Sequence, residues 1–333
     1  MTNPFRIAAW GTAAAMLLIA MVLSVSLGST IFSVSMIVDS IFHFDGSRDH
    51  IILRNVRFPR TIVTVLAGAN LAVAGALMQA ITRNVLASPG IFGINSGAAA
   101  VAVLLMVIYP QVTSSNLVFA AFVGGACAAL IVYAMATAFK QTHMAVHLAL
   151  TGVAIQAMLS AFTQTIIMFN EIQLDRILFW LAGSVSSRKW EHAAVLLKWS
   201  IPALLVAFTL GRSASVLSLG DSLAKGLGQR LALARGLMAL IVIVLAGVTV
   251  SVTGPIGFVG LIVPHIARQL TGLDYRSVLP LSALCGALLL LLADLLSRYI
   301  VFPYETPVGI VTALIGTPFF IYLARRRKKE AKI

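Results

Sequence analysis

The sequence predicts an all-α integral membrane protein of about ten transmembrane helices, with both termini inside and short helices on the cytoplasmic surface. Three observations carry this expectation. Hydrophobic residues make up 59% of the 333 and charged residues 11%, with a mean hydropathy of +0.98, so there is too little polar surface to cover a soluble particle. Apolar stretches of roughly 20 residues, enough to cross hydrocarbon as helix, recur about ten times with short connections, leaving one transmembrane domain over residues 1–333. The alternating pattern of barrel strands of about ten residues is absent. The net charge of +13 gathers at span ends and in the tail ARRRKKEAK, as the inward bias of Lys and Arg and an anionic lipid surface require, and it calls for no nucleic acid.

Residues 7–27 follow Arg6, lack a small-x-small cleavage site, and predict a retained first span running outward. Residues 28–56, with Asp39, Asp45, Arg48 and Asp49, form a solvated exterior loop. Residues 57–81 return inward with Gly68, Ala72, Gly75 and Ala76 on one stripe, the spacing that lets helices pack closely in lipid. Pro89, Gly90 and Gly93 make a turn before spans at 91–109, 117–139 and 145–169. Lys140 marks an inside end. His143 and His147 are four apart, as in some metal sites, but no third ligand lies near them and headgroup contact explains them. Cys127 and Cys285 fall in apolar segments and are expected as small core residues, not as a disulfide or metal pair.

Residues 170–189 predict an exterior amphipathic helix anchored by Trp180 and Trp190, and a sixth span follows to Leu210. The basic, glycine-punctuated stretch VLSLGDSLAKGLGQRL, within a cytoplasmic loop of about 212–235, cannot cross a membrane. Ser218, Asp221 and Ser222 offer N-terminal capping groups, Leu223 and Leu227 share a face, and Gly226 and Gly228 break the helix. With no catalytic group, it suggests a docking surface for a cytoplasmic partner. After a seventh span at 233–252, Pro255, Gly257, Gly260 and Pro264 interrupt a helix that must still cross, marking one in the bundle interior. His265 beside Arg268 is expected to cap a helix end. The ninth span, 278–300, holds Asp294 one turn before Arg298, where pairing within the helix is the simplest account. Thr306 and Pro307 open the tenth.

Chemistry of its own is not expected. There is no phosphate-binding GxxxxGK[ST] loop, no serine elbow and no HExxH, so the catalytic and metal sets are empty. An autonomous carrier would need intramembrane carboxylates, and only Asp294 qualifies. A purely structural scaffold is the remaining class.

The strings RFPR, GANLAVAGALMQAITRN, FWLAGS, SLGDSLAKGLGQR, TGPIGFVGLIVPHIAR, ADLLSR and PVGIVTALIGTPFF, in that order and over nearly the whole chain, resemble the iron-chelate and cobalamin permease family of ABC importers. The resemblance implies a permease in a bacterial cytoplasmic membrane that dimerises, with itself or with a second permease, around a central pathway. It implies an extracytoplasmic binding protein and two cytoplasmic ATPases, with ATP and magnesium on the latter and no cofactor on this chain. Ferric siderophore is the expected cargo, with heme or cobalamin as alternatives. Ser218, Gly220, Asp221, Ala224, Gly226 and Gly228 then belong to the coupling loop, and Arg57, Arg60 and Arg298 to a pocket for carboxylates of the binding protein. Pro255, Gly257, Gly260, Pro264 and His265 form a gating break. Gln79, Asn84, Asn95, Ser96, Gln156, Ser160, Thr163 and Gln164 are the polar candidates for a pathway wide enough for a large chelate. Two departures stand out: Asn84-Val85-Leu86-Ala87 where the family has Asn-Pro-Leu-Ala, and Glu305-Thr306-Pro307 where it has Glu-Leu-Pro.

Overall fold

The computed structural model describes residues 4–28, 30–138 and 144–330, and these are helical throughout apart from turns and one isolated bridge. The helices are α1 (Pro4–Ser26), α2 (Val34–Phe42), α3 (Arg48–Ile52), α4 (Phe58–Thr82), α5 (Ile94–Ile108), α6 (Ser114–Ala138), α7 (Met144–Met168), α8 (Leu174–Leu181) and α9 (Trp190–Thr209). They continue as α10 (Gly211–Ser218), α11 (Asp221–Gly226), α12 (Leu231–Thr253), α13 (Val259–Thr271), α14 (Tyr275–Ser297) and α15 (Val308–Glu330). Among the described residues, 7 helices are long and apolar enough to cross a membrane, and α5 and residues Val308–Leu323 are shorter apolar helices.

Three expectations change. The first connection is helical: α2, capped by Ser33, precedes α3, and a π turn over Leu53–Arg57 joins α3 to α4 as one rod from Arg48 to Thr82. Trp180 is buried in the core and anchors no interface, whereas Trp190 is exposed and donates its indole N–H to the Arg54 carbonyl at 2.8 Å. Cys127 is exposed and so is not a core residue, whereas Cys285 is half-buried and packs against the core as expected. Lys140 and His143 lie outside the described residues.

The bundle is built around α4. Every residue from Ala67 to Thr82 is buried, the mark of a helix with neighbours on all sides. It packs against α14, α12, α13 and α9. The small-residue stripe works as expected: Gly68 meets the backbone of Gly286 on α14, and Gly75 meets that of Gly260 on α13, with no room for a Cβ at either contact. Asn70 ties three helices, its Nδ2 donating to Ser200 Oγ at 2.6 Å on α9 and to Thr249 Oγ1 at 3.1 Å on α12.

At the start of α4 lies a buried charge cluster. Arg60 donates from Nη2 to Asp294 Oδ1 at 2.8 Å and from Nη1 to Glu305 Oε1 at 2.8 Å, and Arg298 pairs with the other Asp294 oxygen. Arg298 also donates to the Leu27 carbonyl at 2.6 Å, and Arg57 reaches the same carbonyl at 2.7 Å and Thr30 O at 3.3 Å. The two arginines thereby satisfy acceptors at the C-terminal end of α1, where the helix dipole favours positive charge. The pairing of Asp294 is thus not confined to its own helix; the longer-range partner on α4 was invisible in the spacing.

Two outcomes follow. Gly75→Leu should cost at least about 1–3 kcal/mol by forcing α4 from α13, read as a lowered thermal midpoint, while Gly11→Ala, in open space, leaves it unchanged. Arg60→Leu leaves Asp294, 0% exposed, one cation short and should cost about 3–5 kcal/mol; Glu305→Gln, half-exposed, should cost far less in the same melt.

Candidate functional site

Two cavities and one surface element carry the features expected of a transport pathway. The first cavity, about 260 Å³, is lined by Asn95 and Ser96 of α5, Ser160, Thr163 and Gln164 of α7, and Pro255. Five of the eight polar residues expected along a pathway therefore meet in one place, although α5 and α7 are far apart in sequence. Gln156 is exposed one turn before Ser160 on the same helix. Among the described residues, no charged side chain lines this cavity.

Gln79 and Asn84 are placed elsewhere. The buried Gln79 amide donates to Ala87 O at 3.3 Å and Gly260 O at 3.4 Å, and its oxygen accepts from Arg268 at 2.5 Å, so it ties α4 to α13. Asn84 accepts from the Leu86 N–H at 3.0 Å and closes a turn. This side-chain turn forms without the proline that the resembled family carries after the asparagine. Gln79 does border a second cavity of about 340 Å³ with Arg83, Ser215, Ser218, Arg268 and Tyr275, at the other end of α4.

The helix break is shorter than expected. It spans residues 254–258, and α13 then runs unbroken through Gly260 and Pro264. Gly254 and Phe258 have φ of 72° and 66°. A backbone group freed by the break is taken up by protein: the Ser184 N–H donates to Thr253 O at 2.7 Å, and the neighbouring Gly183 carbonyl accepts from the Gly309 N–H at 3.0 Å. Gly257 is in open space, and Gly260 serves packing. His265 sits within α13, not at its end, with its Nε2 3.0 Å from Gln269 Nε2 and its ring edge-on to Phe319 of α15.

The loop expected to dock a partner forms the two short helices α10 and α11. Its capping differs from the expectation. Gly220, at φ 114°, is the N-cap of α11 and no side chain caps it; Ser218 donates back to Ser215 O at 2.6 Å. Asp221 instead bridges two transmembrane helix ends, accepting from Arg235 of α12 at 2.6 Å and lying 3.6 Å from Arg83 after α4. Burial raises the Asp221 carboxyl, but the hydrogen bond and charge of Arg235, helped by Arg83 and Lys225, outweigh it and hold the group below its ordinary value. Ala224 is buried beneath the turn. Gly226 has ordinary helical φ and open space, so it does not break the helix by need, whereas Gly228 has φ 78°. Leu219, Leu223 and Leu227, each four apart, are 60%, 59% and 67% exposed. The sequence spacing gave the last two; Leu219 was masked by the apolar run before it.

Arg57, Arg60 and Arg298 do cluster, yet all three are buried and their donors point to partners within the chain. An open basic pocket is therefore not what their side chains form. The exposed part of the cluster is Glu305, which also accepts from Ser186 Oγ at 2.7 Å. Burial raises its carboxyl, but Arg60 and Ser186 together hold it below the usual range.

The FecCD transport family matches residues 16–326. The chain is 49% identical over 304 residues to the Fe(3+)-citrate import system permease protein YfmD of Bacillus subtilis (strain 168), covering 91% of this chain and 90% of that one. It is 42% identical over 308 residues to the iron(3+)-hydroxamate import system permease protein FhuB of the same organism, covering 92% and 80%. A solved inward-facing structure of a metal-chelate type ABC transporter superposes with a TM-score of 0.85 at 29% identity, covering 97% of this chain and 100% of that chain. A family match over nearly the whole length, with relatives this similar, makes the chain a multi-pass membrane protein of the FecCD transport family.

Proposed function

We propose that the chain is the permease subunit of an ATP-binding-cassette importer that carries a ferric chelate, a siderophore or ferric citrate, across a bacterial cytoplasmic membrane. The iron cargo is supported by what the citrate and hydroxamate permeases above are named for; heme and cobalamin remain the alternatives to test. Ten crossings, made by the 7 long helices with α5, α13 and α15, put both termini on the side where Arg83, Arg212, Lys225, Arg230, Arg235, Arg268 and Arg276 gather, the cytoplasmic side by charge bias. ATP and magnesium belong to two separate ATPase subunits, and this chain binds no cofactor.

The observation that carries the reading is the flank of α7. Gln156 and Gln164 are exposed on a helix that crosses the membrane, beside the uncharged cavity of Asn95, Ser96 and Ser160. Hydrocarbon is a poor solvent for amides, so this flank faces water, and it is half of a pathway that a second permease subunit completes. Small neutral groups suit a large chelate in passage, since none fixes it at one point.

At the inner end, the exposed leucines of α10 and α11 form a ridge for the ATPase. Asp221 passes its motion to α4 and α12 through Arg83 and Arg235. At the outer end, the cluster of three arginines and two carboxylates keeps one net positive charge. A binding-protein carboxylate approaching there takes the place of Glu305 on Arg60.

Uptake of radioactive iron by a deletion strain, offered ferric citrate, hydroxamate siderophores, heme and cobalamin in turn, tests the whole; uptake of heme or cobalamin alone would replace the cargo. Ser96→Trp should lower uptake at least about tenfold at unchanged membrane level. Asp221→Asn removes the two ion pairs at pH 7 and should uncouple ATP hydrolysis from uptake. The depressed folded-state value means the wild-type pairs are intact above the ordinary carboxylate range and fail only as pH falls through that lower value. Gly226→Ala should be neutral and Gly228→Val should impair uptake, since only the latter needs φ above zero.

A further inference from the structure

A groove of about 210 Å³ lies between α6, α9 and α12, apart from the pathway cavity, and none of its residues has a part in the transport scheme. Its walls are Phe119, Phe122, Trp199 and Val248, with the Phe122 and Trp199 rings stacked at 6.2 Å between centroids. Phe119 and Trp199 are exposed on the outside of the bundle, so the groove opens toward the bilayer. It sits where α6 and α9 begin and α12 ends, near one membrane face.

Among these apolar groups stands His192, 4% exposed. The Lys189 backbone N–H donates to its Nδ1 at 3.2 Å, so the neutral ring carries its proton on Nε2. That Nε2 is buried and has no partner. A buried donor without an acceptor is rare, because its loss of water is uncompensated. Ser251, the groove's other buried polar group, already donates to Val248 O at 2.9 Å. Glu191 at the rim, with Oε1 3.8 Å from His192 Nδ1, disfavours an anionic ligand next to the ring.

We infer that this groove is a lipid site, in which one acyl chain of a bilayer phospholipid lies against Phe119, Phe122 and Trp199 while its neutral ester carbonyl accepts from His192 Nε2. The volume fits part of a chain, given that a dry apolar cavity of about 150 Å³ takes benzene. The ester also matches the position, since it sits at the edge of the hydrocarbon, where the helix ends lie.

The test uses the full chain in vesicles of phosphatidylethanolamine and phosphatidylglycerol doped with a phospholipid bearing a diazirine near the ester, with labelled residues mapped by mass spectrometry. We expect labelling at residues 119–122 and 192–199 at least about fivefold above that at Leu18 and Ile19, which are exposed on α1. His192→Phe should bring it down to the α1 level, and His192→Gln, which keeps an N–H donor, should restore it. Even labelling of all exposed helices overturns the proposal, as does undiminished labelling in H192F. Should H192F fail to fold, wild-type protein decides: preference for a diazirine fatty acid over the ester makes this a carboxylate site and overturns the proposal, as does cross-linking of Trp199 to a second copy in place of lipid.

Discussion

Asp294 is a charge with no solvent exposure inside a bundle of apolar helices, and its neutralisation from α4 and from its own helix fixes how the ends of three helices meet. Arg60 binds it bidentately, Arg298 reaches it from one turn along α14, and Arg298 and Arg57 share the Leu27 carbonyl at the end of α1. An isolated carboxylate there would be prohibitively costly, so the three elements hold together or the charge is stranded. The rest of α4 then follows inward along a line of glycines, where backbone contact with α13 and α14 replaces the hydrophobic drive that lipid does not provide.

That close packing makes the irregular segment before α13 tolerable. A break at 254–258 strips backbone groups of their helical partners, and the Ser184 N–H in the loop after α8 takes up the Thr253 carbonyl. Pro255, placed by the break, joins the wall of the uncharged cavity. The uncharged cavity is thus made from the break and from α5 and α7, while the arginines lie in the cluster and at the other end of α4.

The opposite end of α4 repeats the device with one carboxylate. Asp221 on a surface helix holds Arg83 and Arg235, which terminate α4 and begin α12, so a push on the exposed leucine ridge acts on two transmembrane helices at once. Gln229, donating to Ser213 O at 3.0 Å, and Ser215, bonded to Asp274 at 3.0 Å, lock α10 against α12 and α14. The short helices are therefore firmly held and not a loose loop.

The sequence by itself determined the long apolar helices, the lipid-facing character, the glycine stripe of α4, the short helices near Asp221 and the family, because hydropathy, small-residue spacing and contiguous strings are local properties. It also named, as polar candidates, five residues that the fold gathers around one cavity, without the neighbourhood that joins Asn95 to Gln164. Only the tertiary structure decided partners. Gln79 and Asn84 are polar like the pathway residues, yet backbone groups nearby consume their hydrogen bonds. Arg57, Arg60 and Arg298 read as an open basic pair and a third charge, yet carbonyls and carboxylates from distant segments enclose them. A side chain's composition states what it can bond to; which of several bonds it makes depends on what folding brings within about 3 Å.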